Sequence, residues 1–438
     1  MISPQLEQWL DAHINFETGK LSKRATMPTL ERMQLLCKYM GDPQEHVKAI
    51  HITGTNGKTS TTRITESLLR TKGLYVGAIS SPHLSYMNER ICLDGKPVDS
   101  SLLEHALTSI RDIENSVDVI AKDPPSYFEI FVAAAYEIMS HEAVDVGVIE
   151  VGMGGLYDAT NVCATEVAVI TNVELDHMAY LGNTREKIAT EKSGIIKPDN
   201  RVVIGETDEN IVSIFLEAAH KVNATALVVG QDFEILSNEQ AVGGRLMSMR
   251  TPYATYRDVF LPLFGAHQAS NAMLALVAAE SFIDAALGEE VVIEGFNNAR
   301  SPGRMEILER EPLVLIDGAH NVAGAQALAT ALEEEFERAR RIYVFGLTEE
   351  KDATAMINAL GIDNDDIVIA TAADTARAME VGVLSQALRD AGVETVIEVN
   401  GPLAAIENAK ALALDDDHII VTGSLYVVGA VRSALASS

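Results

Sequence analysis

The chain has 438 residues, enough for two or three domains of about 150 residues each. Hydrophobic residues make up 47% and charged residues 22%, the composition of a globular protein with material for more than one core. A formal net charge of −29 argues against nucleic acid and anionic lipid as partners, because both recruit cationic surfaces; small anionic substrates stay open if a few basic residues share one cleft.

In chain order, the first 45 residues read as helical and partly polar, with a basic knot at Lys20, Lys23 and Arg24. The opening MISPQLEQWLDAH has no basic segment followed by an apolar core, so no signal peptide is expected. No run of about 18 apolar residues predicts a membrane span. VKAIHIT (47–53) reads as a strand, GTNG as a loop, and the segment from Lys58 as an amphipathic helix, with Ile64 and Leu68 four apart, ending at Gly73. LYVGAI (74–79) is a further strand. AVDVGVIEVG (143–152) and EVAVITN (166–172) are β-branched and nearly continuously apolar, as parallel strands covered on both faces require. Helices are expected at 127–140 and 184–192, and this alternation predicts an α/β fold with a doubly wound parallel sheet.

Residues 234–263 alternate in short stretches broken by turn residues, which predicts a small β-rich appendage, followed by a helix over 269–280. FNNARSPGR (296–304) reads as a linker. Beyond it, PLVLID, RIYVFG, DIVIA, TVIEV and HIIVTG alternate with helical segments, giving a second, smaller Rossmann-like α/β unit without a glycine-rich phosphate fingerprint of its own. The expected division is a P-loop-containing domain over 1–297, carrying the N-terminal helical segment and the appendage, and a C-terminal domain over 298–438. Cys37, Cys92 and Cys163 are odd in number, widely spaced and without a CxxC pair, so they read as ordinary buried thiols in a reducing, cytoplasmic setting.

The sharpest chemical signal is HITGTNGKTSTT (51–62), a strand, a glycine-containing loop and a helix in direct succession. Backbone N–H groups of Gly54, Thr55, Asn56 and Gly57, with the positive end of the helix, can wrap a polyphosphate. Lys58 can reach the outer phosphates, and Thr59 or Ser60 can offer a hydroxyl to Mg²⁺. The strict GxxxxGK[ST] spacing is not met, since Ile52 stands five positions before Gly57.

Ligands of open parallel sheets sit at the carboxyl ends of strands. Glu150 falls there, an acid ending an apolar strand before the turn GMGG (152–155), and Asp176 and His177 follow the strand VAVITN. A carboxylate and an imidazole beside a phosphate loop can hold a divalent cation, although imidazole is an unusual Mg²⁺ ligand. Lys192 closes a predicted helix, where a lysine also serves simply to stabilise the helix terminus.

Taken together and in order, GTNGKTS, SSPHL (80–84), EVGMGG–DATN (150–161), TNVELDH (171–177), EKSGIIKP (191–198), SPGR (301–304) and DGAHN (317–321) resemble the folylpolyglutamate synthase/dihydrofolate synthase family of the Mur ligase superfamily, from about residue 20 to the C-terminus. The resemblance implies ATP-dependent amide formation: a folate or pteroate carboxylate takes the γ-phosphate, and the amine of L-glutamate displaces phosphate from the acyl phosphate. The expected acceptors are dihydropteroate, tetrahydrofolate or both, and the expected state is a monomer. Lys58 and its loop are implied to hold ATP. Ser81, Glu150 and His177 are implied as Mg²⁺ ligands, with Thr59 or Ser60 on the metal bridging the phosphates, so two Mg²⁺ sites are expected. Lys192 matches a lysine that becomes a carbamate ligand in these ligases, and Asn271, Arg304, Asp317 and His320 match nucleotide-binding positions. Arg304, at the domain junction, is expected to engage ATP on closure.

Three segments depart from the family pattern. The family usually has Gly, Gly, Arg before the DATN element, whereas Leu156 and Tyr157 follow Gly155 here and a basic residue is missing; Val322 replaces a proline after DGAHN, and Thr59 replaces a common glycine. A Mur-type ligase acting on a non-folate carboxylate therefore stays open. The short stretch before Gly54 disfavours the nucleotide-sugar branch, which carries a separate N-terminal domain of ~100 residues or more. A non-catalytic ATP-binding regulator also stays open, disfavoured by the presence of Glu150, His177 and Lys192.

Overall fold

The computed structural model describes residues 2–15 and 29–435; the basic knot at Lys20, Lys23 and Arg24 lies outside the described residues. Three sheets organise the chain. The first contains β1 (Lys48–Thr53), β2 (Val76–Ile79), β3 (Ile91–Leu93), β4 (Lys96–Pro97), β5 (Val146–Glu150), β6 (Ala164–Ile170), β7 (Arg201–Ile204) and β8 (Thr225–Val228). Their spatial order is β4-β3-β2-β5-β1-β6-β7-β8. The six strands from β2 to β8 in that order are parallel, and β3 and β4 form an antiparallel edge.

β1 is central, and its side chains alternate between two cores. Ile50 and Ile52 enter one core with Ile64 and Leu68 of the Lys58–Thr71 helix and Met273 of the Ala266–Ile283 helix. Val47 and Ala49 enter the other, against Tyr136 and Met139 of the Tyr127–His141 helix. That last helix begins where Ser126 and Glu129 satisfy each other's backbone N–H groups, a capping box readable as S-x-x-E.

The appendage is an antiparallel sheet of β9 (Glu234–Ala241), β10 (Gly244–Arg250) and β11 (Thr255–Leu261), ordered β11-β10-β9. Met247, Met249, Val259 and Leu261 point into the same core as β1, so the appendage is packed on the first unit. The third sheet holds β12 (Glu306–Arg310), β13 (Leu313–Ile316), β14 (Arg341–Phe345), β15 (Ile367–Ala370), β16 (Thr395–Glu398) and β17 (His418–Thr422), in the order β12-β13-β17-β14-β15-β16. All but β12 are parallel; β12 is an antiparallel edge that the alternation pattern did not predict.

One expectation needs correction. The segment 296–304 is not a linker throughout, because the Glu289–Asn298 helix runs through Phe296, Asn297 and Asn298. Phe296 is fully buried, and its burial holds those asparagines in the last helical turn. The three cysteines are free and buried. No helix among the described residues is long and apolar enough to cross a membrane.

At the centre of β1, His51 is fully buried. Its Nε2 lies 2.8 Å from Thr160 Oγ1, and that hydroxyl donates to Asp158 Oδ1 at 2.5 Å. His51 must therefore donate through Nε2, leaving Nδ1 without a partner. Burial, and then the Lys197 charge, lower its pKa from 6.5 to about 3. The folded chain keeps His51 neutral where the unfolded chain protonates it, so its stabilisation is complete above about pH 6.5 and is lost as pH falls towards 3. In urea unfolding across that range, His51→Gln is expected to lose part of the wild type's acid sensitivity. Parallel pH profiles for the two proteins would contradict this.

Candidate active site

Sheet order creates the site. β1 lies between β5 and β6, so the chain leaves three adjacent strand ends at the point where the connections diverge to opposite sides. The phosphate loop follows β1, the GMGG turn follows β5, and TNVELDH follows β6. A cleft of about 1490 Å³ opens above them and is closed from the other side by loops of the third sheet.

The phosphate loop is shaped by its neighbours. A Cβ on Gly54 would collide with Thr171 Oγ1, and Gly57 has φ +82 with no room for a Cβ beside Asn271 Oδ1, so only glycine fits either position. Thr171 Oγ1 donates to Asn56 O at 2.6 Å, Thr55 N donates to Asn172 O at 2.9 Å, and Asn56 N donates to Asn172 Oδ1 at 2.9 Å. Lys58, first residue of its helix, lays Nζ back over the loop, 3.0 Å from Gly54 O and 3.2 Å from Thr55 O. Burial depresses the Lys58 ammonium, while Glu150 and Asp176 pull it back up.

Spacing left Thr59 and Ser60 equivalent, and the structure separates them. Thr59 Oγ1 donates to Glu150 Oε1 at 2.8 Å, whereas Ser60 is buried against Ser301 Oγ at 2.9 Å, in the segment joining the two α/β units. Glu150 is buried at the end of β5, and its Oε2 has no hydrogen-bond partner. Burial raises its pKa, and the charge of Lys58 is the largest influence against that. The GMGG turn beside it is tied down by Thr53 Oγ1 donating to Gly154 O at 2.6 Å and Met153 N donating to Asp158 Oδ2 at 2.8 Å.

On the β6 side, His177 sits at φ +48 and initiates the short helix Met178–Leu181. Burial lowers its pKa to about 4 against the pull of Asp176, leaving a neutral imidazole at neutral pH. Lys192 is the last residue of the Arg185–Lys192 helix and is buried behind the GMGG turn. Burial, and then the nearby Lys58 charge, hold its amine well below the ordinary lysine range.

The opposite wall comes from the second α/β unit. Facing it, Asn271, on the Ala266–Ile283 helix of the first unit, donates Nδ2 to Gln268 Oε1 at 3.0 Å beneath the phosphate loop. Arg304 lines the cleft with its guanidinium against Gly318, and its charge reaches Lys58, Glu150 and Asp317. Asp317 spends both oxygens on backbone, accepting from Met305 N at 2.9 Å and Ala319 N at 2.8 Å, and so folds the DGAHN turn against the joining segment. His320 Nδ1 donates to Gly318 O at 2.8 Å, which leaves Nε2 towards the cleft; burial lowers its pKa to about 4. Ser81 also lines the cleft, in the loop between β2 and β3.

Sequence reasoning named Asp176 beside His177 but missed its role in joining the two walls and its partner Lys351. Asp176 accepts from Lys351 Nζ at 2.8 Å and lies 3.4 Å from Asn321 Nδ2. His320 Nε2 and His177 Nε2 are each 3.9 Å from Asp176 Oδ2. These cationic and polar neighbours hold its carboxyl well below the usual range despite burial. Its place after a strand, next to His177, was the signal for Asp176; nothing in the sequence marked Lys351.

Residues 52–279 match the Mur ligase middle domain, and residues 303–425 match the Mur ligase glutamate ligase domain. A dihydrofolate synthase/folylpolyglutamate synthase of Mycobacterium tuberculosis is 36% identical, over 93% of this chain and 90% of the relative. One of Bacillus subtilis is 32% identical, over 95% and 97%. The chain belongs to the folylpolyglutamate synthase/dihydrofolate synthase family. It is thus an ATP-dependent ligase of the Mur type. Among solved structures, M. tuberculosis folylpolyglutamate synthase complexed with ADP superposes with a TM-score of 0.91 at 34% identity, covering 98% of this chain and 97% of that one. E. coli FolC in complex with DHPP and ADP gives 0.86 at 26% identity, covering 99% and 98%.

Against that family, the three departures acquire locations. Leu156 and Tyr157 are exposed, Tyr157 lines the cleft, and Leu156 N donates to Glu191 O at 2.9 Å. Val322 opens the Val322–Glu335 helix, which is capped by Asn321 Oδ1 accepting from Gly324 N at 2.8 Å, so the start does not depend on proline. Thr59 supplies the hydroxyl on Glu150 that a glycine would lack. Among the described residues, no three His, Cys, Asp or Glu side chains gather as a ready-made metal cluster. Mg²⁺ does not require one, since it binds through one or two carboxylates together with phosphate oxygens and water.

Proposed function

We propose that this ligase joins L-glutamate to the carboxylate of dihydropteroate or tetrahydrofolate, spending ATP through an acyl phosphate. The observation that carries this reading is one continuous cleft lined by two chemically different sets of residues. The phosphate loop, Glu150, His177, Arg304 and His320 are its polar lining, and Phe128, Met153, Tyr157, Leu175, Met178 and Tyr180 give it an apolar, aromatic lining suited to a flat heterocycle. The neighbour that carries DHPP with ADP supports the same pairing of nucleotide and acceptor.

In this reading Lys58 and the helix N-terminus that it opens hold the β- and γ-phosphates, with the Thr55 and Asn56 amides spent on Asn172 to shape the loop; Asn271 braces the loop, and Arg304, Asp317 and His320 meet the nucleotide from the second wall. Lys58 and Arg304 offset charge as the acceptor carboxylate attacks the γ-phosphorus and ADP leaves. The incoming amine must be unprotonated, and the neutral His320 imidazole, with its free Nε2, is the group oriented to take a proton there. Closure of the second unit, held at Asp176 by Lys351 and Asn321, keeps water from the acyl phosphate.

The donors present fit Mg²⁺: the unpartnered Glu150 Oε2 is an oxygen ligand in need of a cation, and Thr59, Ser81, His177 and Lys192 are the other proposed donors around two ions. Bound there, Mg²⁺ would neutralise phosphate charge and polarise the γ-phosphoryl group. Lys192 would serve as its carbamate, formed when the neutral amine adds to CO₂ and releases a proton. Its depressed pKa supports that chemistry, because it favours the neutral amine. We take the two units to divide near residue 298, where the helix ends, with β12 beginning at Glu306. The buried free thiols support a reducing, cytoplasmic location.

The test is phosphate release with MgATP and L-glutamate, with and without each pterin acceptor, with products weighed by mass spectrometry. Acceptor-dependent release, a product heavier by one glutamyl unit, and loss of turnover in Lys58→Ala are expected. Release independent of any pterin acceptor would overturn the substrate assignment. For Lys192, ¹³C NMR with labelled bicarbonate should show a carbamate that Lys192→Ala lacks. Activity of that variant should fall by roughly 100-fold or more and recover in part with short carboxylic acids. A variant with full activity and no lost signal would contradict the carbamate.

A further inference from the structure

The loop that carries Ser81 leaves the first sheet after β2 and returns at β3, yet its outer end is held by the second unit. Leu84 packs into the core of the third sheet, beside Val427, Val428 and Val431. Its backbone lies so close to the Leu425–Leu435 helix that a Cβ on Gly429 would collide with Leu84 O. On its other side, a Cβ on Gly303 would come within 2.7 Å of Leu84 Cδ1. A residue of the first unit is therefore gripped between two glycines of the second.

Charge reinforces the grip. Glu89 Oε2 accepts from Leu84 N at 2.9 Å and Ser85 N at 3.1 Å, which fixes the loop's turn. Arg432, one turn beyond Gly429, places Nη1 3.4 Å from Ser85 Oγ and 3.7 Å from Glu89 Oε1. Its Nε donates to Glu306 Oε2 at 2.9 Å, and the same oxygen accepts from Gly303 N at 2.7 Å. Arg432 thus joins the Ser81 loop, the joining segment and the last helix of the chain. Ser60, on the phosphate-loop helix, meets the same segment at Ser301.

We propose that Arg432 and Gly429 are positioning residues that set the Ser81 loop when the second unit seats, so that domain closure and Mg²⁺ binding are coupled through this loop. The inference rests on the reading of Ser81 as a metal donor. A purely structural Arg432, paired with Glu306 inside its own unit, would leave the loop's dynamics and the metal requirement untouched.

The experiment compares full-length wild type, Arg432→Met, Arg432→Lys, Gly429→Ala and Ser81→Ala. Amide exchange over residues 81–90, the Mg²⁺ concentration for half-maximal activity, kcat at saturating Mg²⁺ and the thermal midpoint are measured for each. Arg432→Met and Gly429→Ala should speed exchange at Leu84 and Ser85 and raise the Mg²⁺ requirement by about tenfold, the effect of losing a charge-assisted contact, with kcat at saturating Mg²⁺ largely kept. Arg432→Lys should restore most of both. Unchanged exchange and Mg²⁺ requirement in Arg432→Met and Gly429→Ala, while Ser81→Ala shifts the requirement, would overturn the coupling alone. An unshifted requirement in Ser81→Ala would remove Ser81 from the metal reading and overturn the coupling with it. A drop in thermal midpoint that Arg432→Lys does not reverse, with no change in exchange, would return Arg432 to a structural role.

Discussion

Lys58 at the start of its helix, Lys192 at the end of another and Glu150 at the end of β5 are all desolvated around the phosphate loop, and most of the site follows from the cost of keeping charge there. Burial pushes both lysine pKa values down and the Glu150 pKa up; Lys58 and Glu150 draw each other towards the charged form, whereas the Lys58 charge pushes Lys192 further from it. Lys58 has only backbone carbonyls as hydrogen-bond partners, and one oxygen of Glu150 has none. A polyanion on the loop and a cation on the carboxylate satisfy both at once, which is the balance that a magnesium nucleotide supplies.

The same constraint explains why the chemistry is divided between two units. A desolvated phosphate site cannot stay closed and still admit nucleotide and acceptor, so its second wall is carried on a separate sheet. Two seams hold that wall. Near the phosphates, Asp176 collects Lys351 and Asn321; on the far side, Arg432, Gly429 and Gly303 grip the Ser81 loop. Ser60 and Asp317 serve the joint between them, one bonded to Ser301 and the other folding the backbone at Met305 and Ala319.

What the sequence made legible is what local spacing encodes. The strand–loop–helix around Lys58, the buried runs of β5 and β6 and the alternating appendage all follow from periodicity and turn residues within one element. β12 was not legible, because EILER lacks an apolar run and becomes a strand only by pairing with β13. The asparagines before Ala299 read as loop, but the burial of Phe296 keeps them helical. Spacing could not choose between Thr59 and Ser60, since that depends on which partner lies opposite each hydroxyl. Pairs such as Asp176–Lys351 and Leu84–Gly429 are set by the docking of whole units, and no local pattern reports them.

The claim on which the account turns is that the acceptor carboxylate attacks the γ-phosphorus inside this closed cleft. Supplying the pterin acceptor with ¹⁸O in its carboxylate and analysing the inorganic phosphate tests it directly. An acyl phosphate requires one labelled oxygen to leave with the phosphate when glutamate displaces it. Phosphate carrying no label, with product formed at the normal rate, would contradict the mechanism.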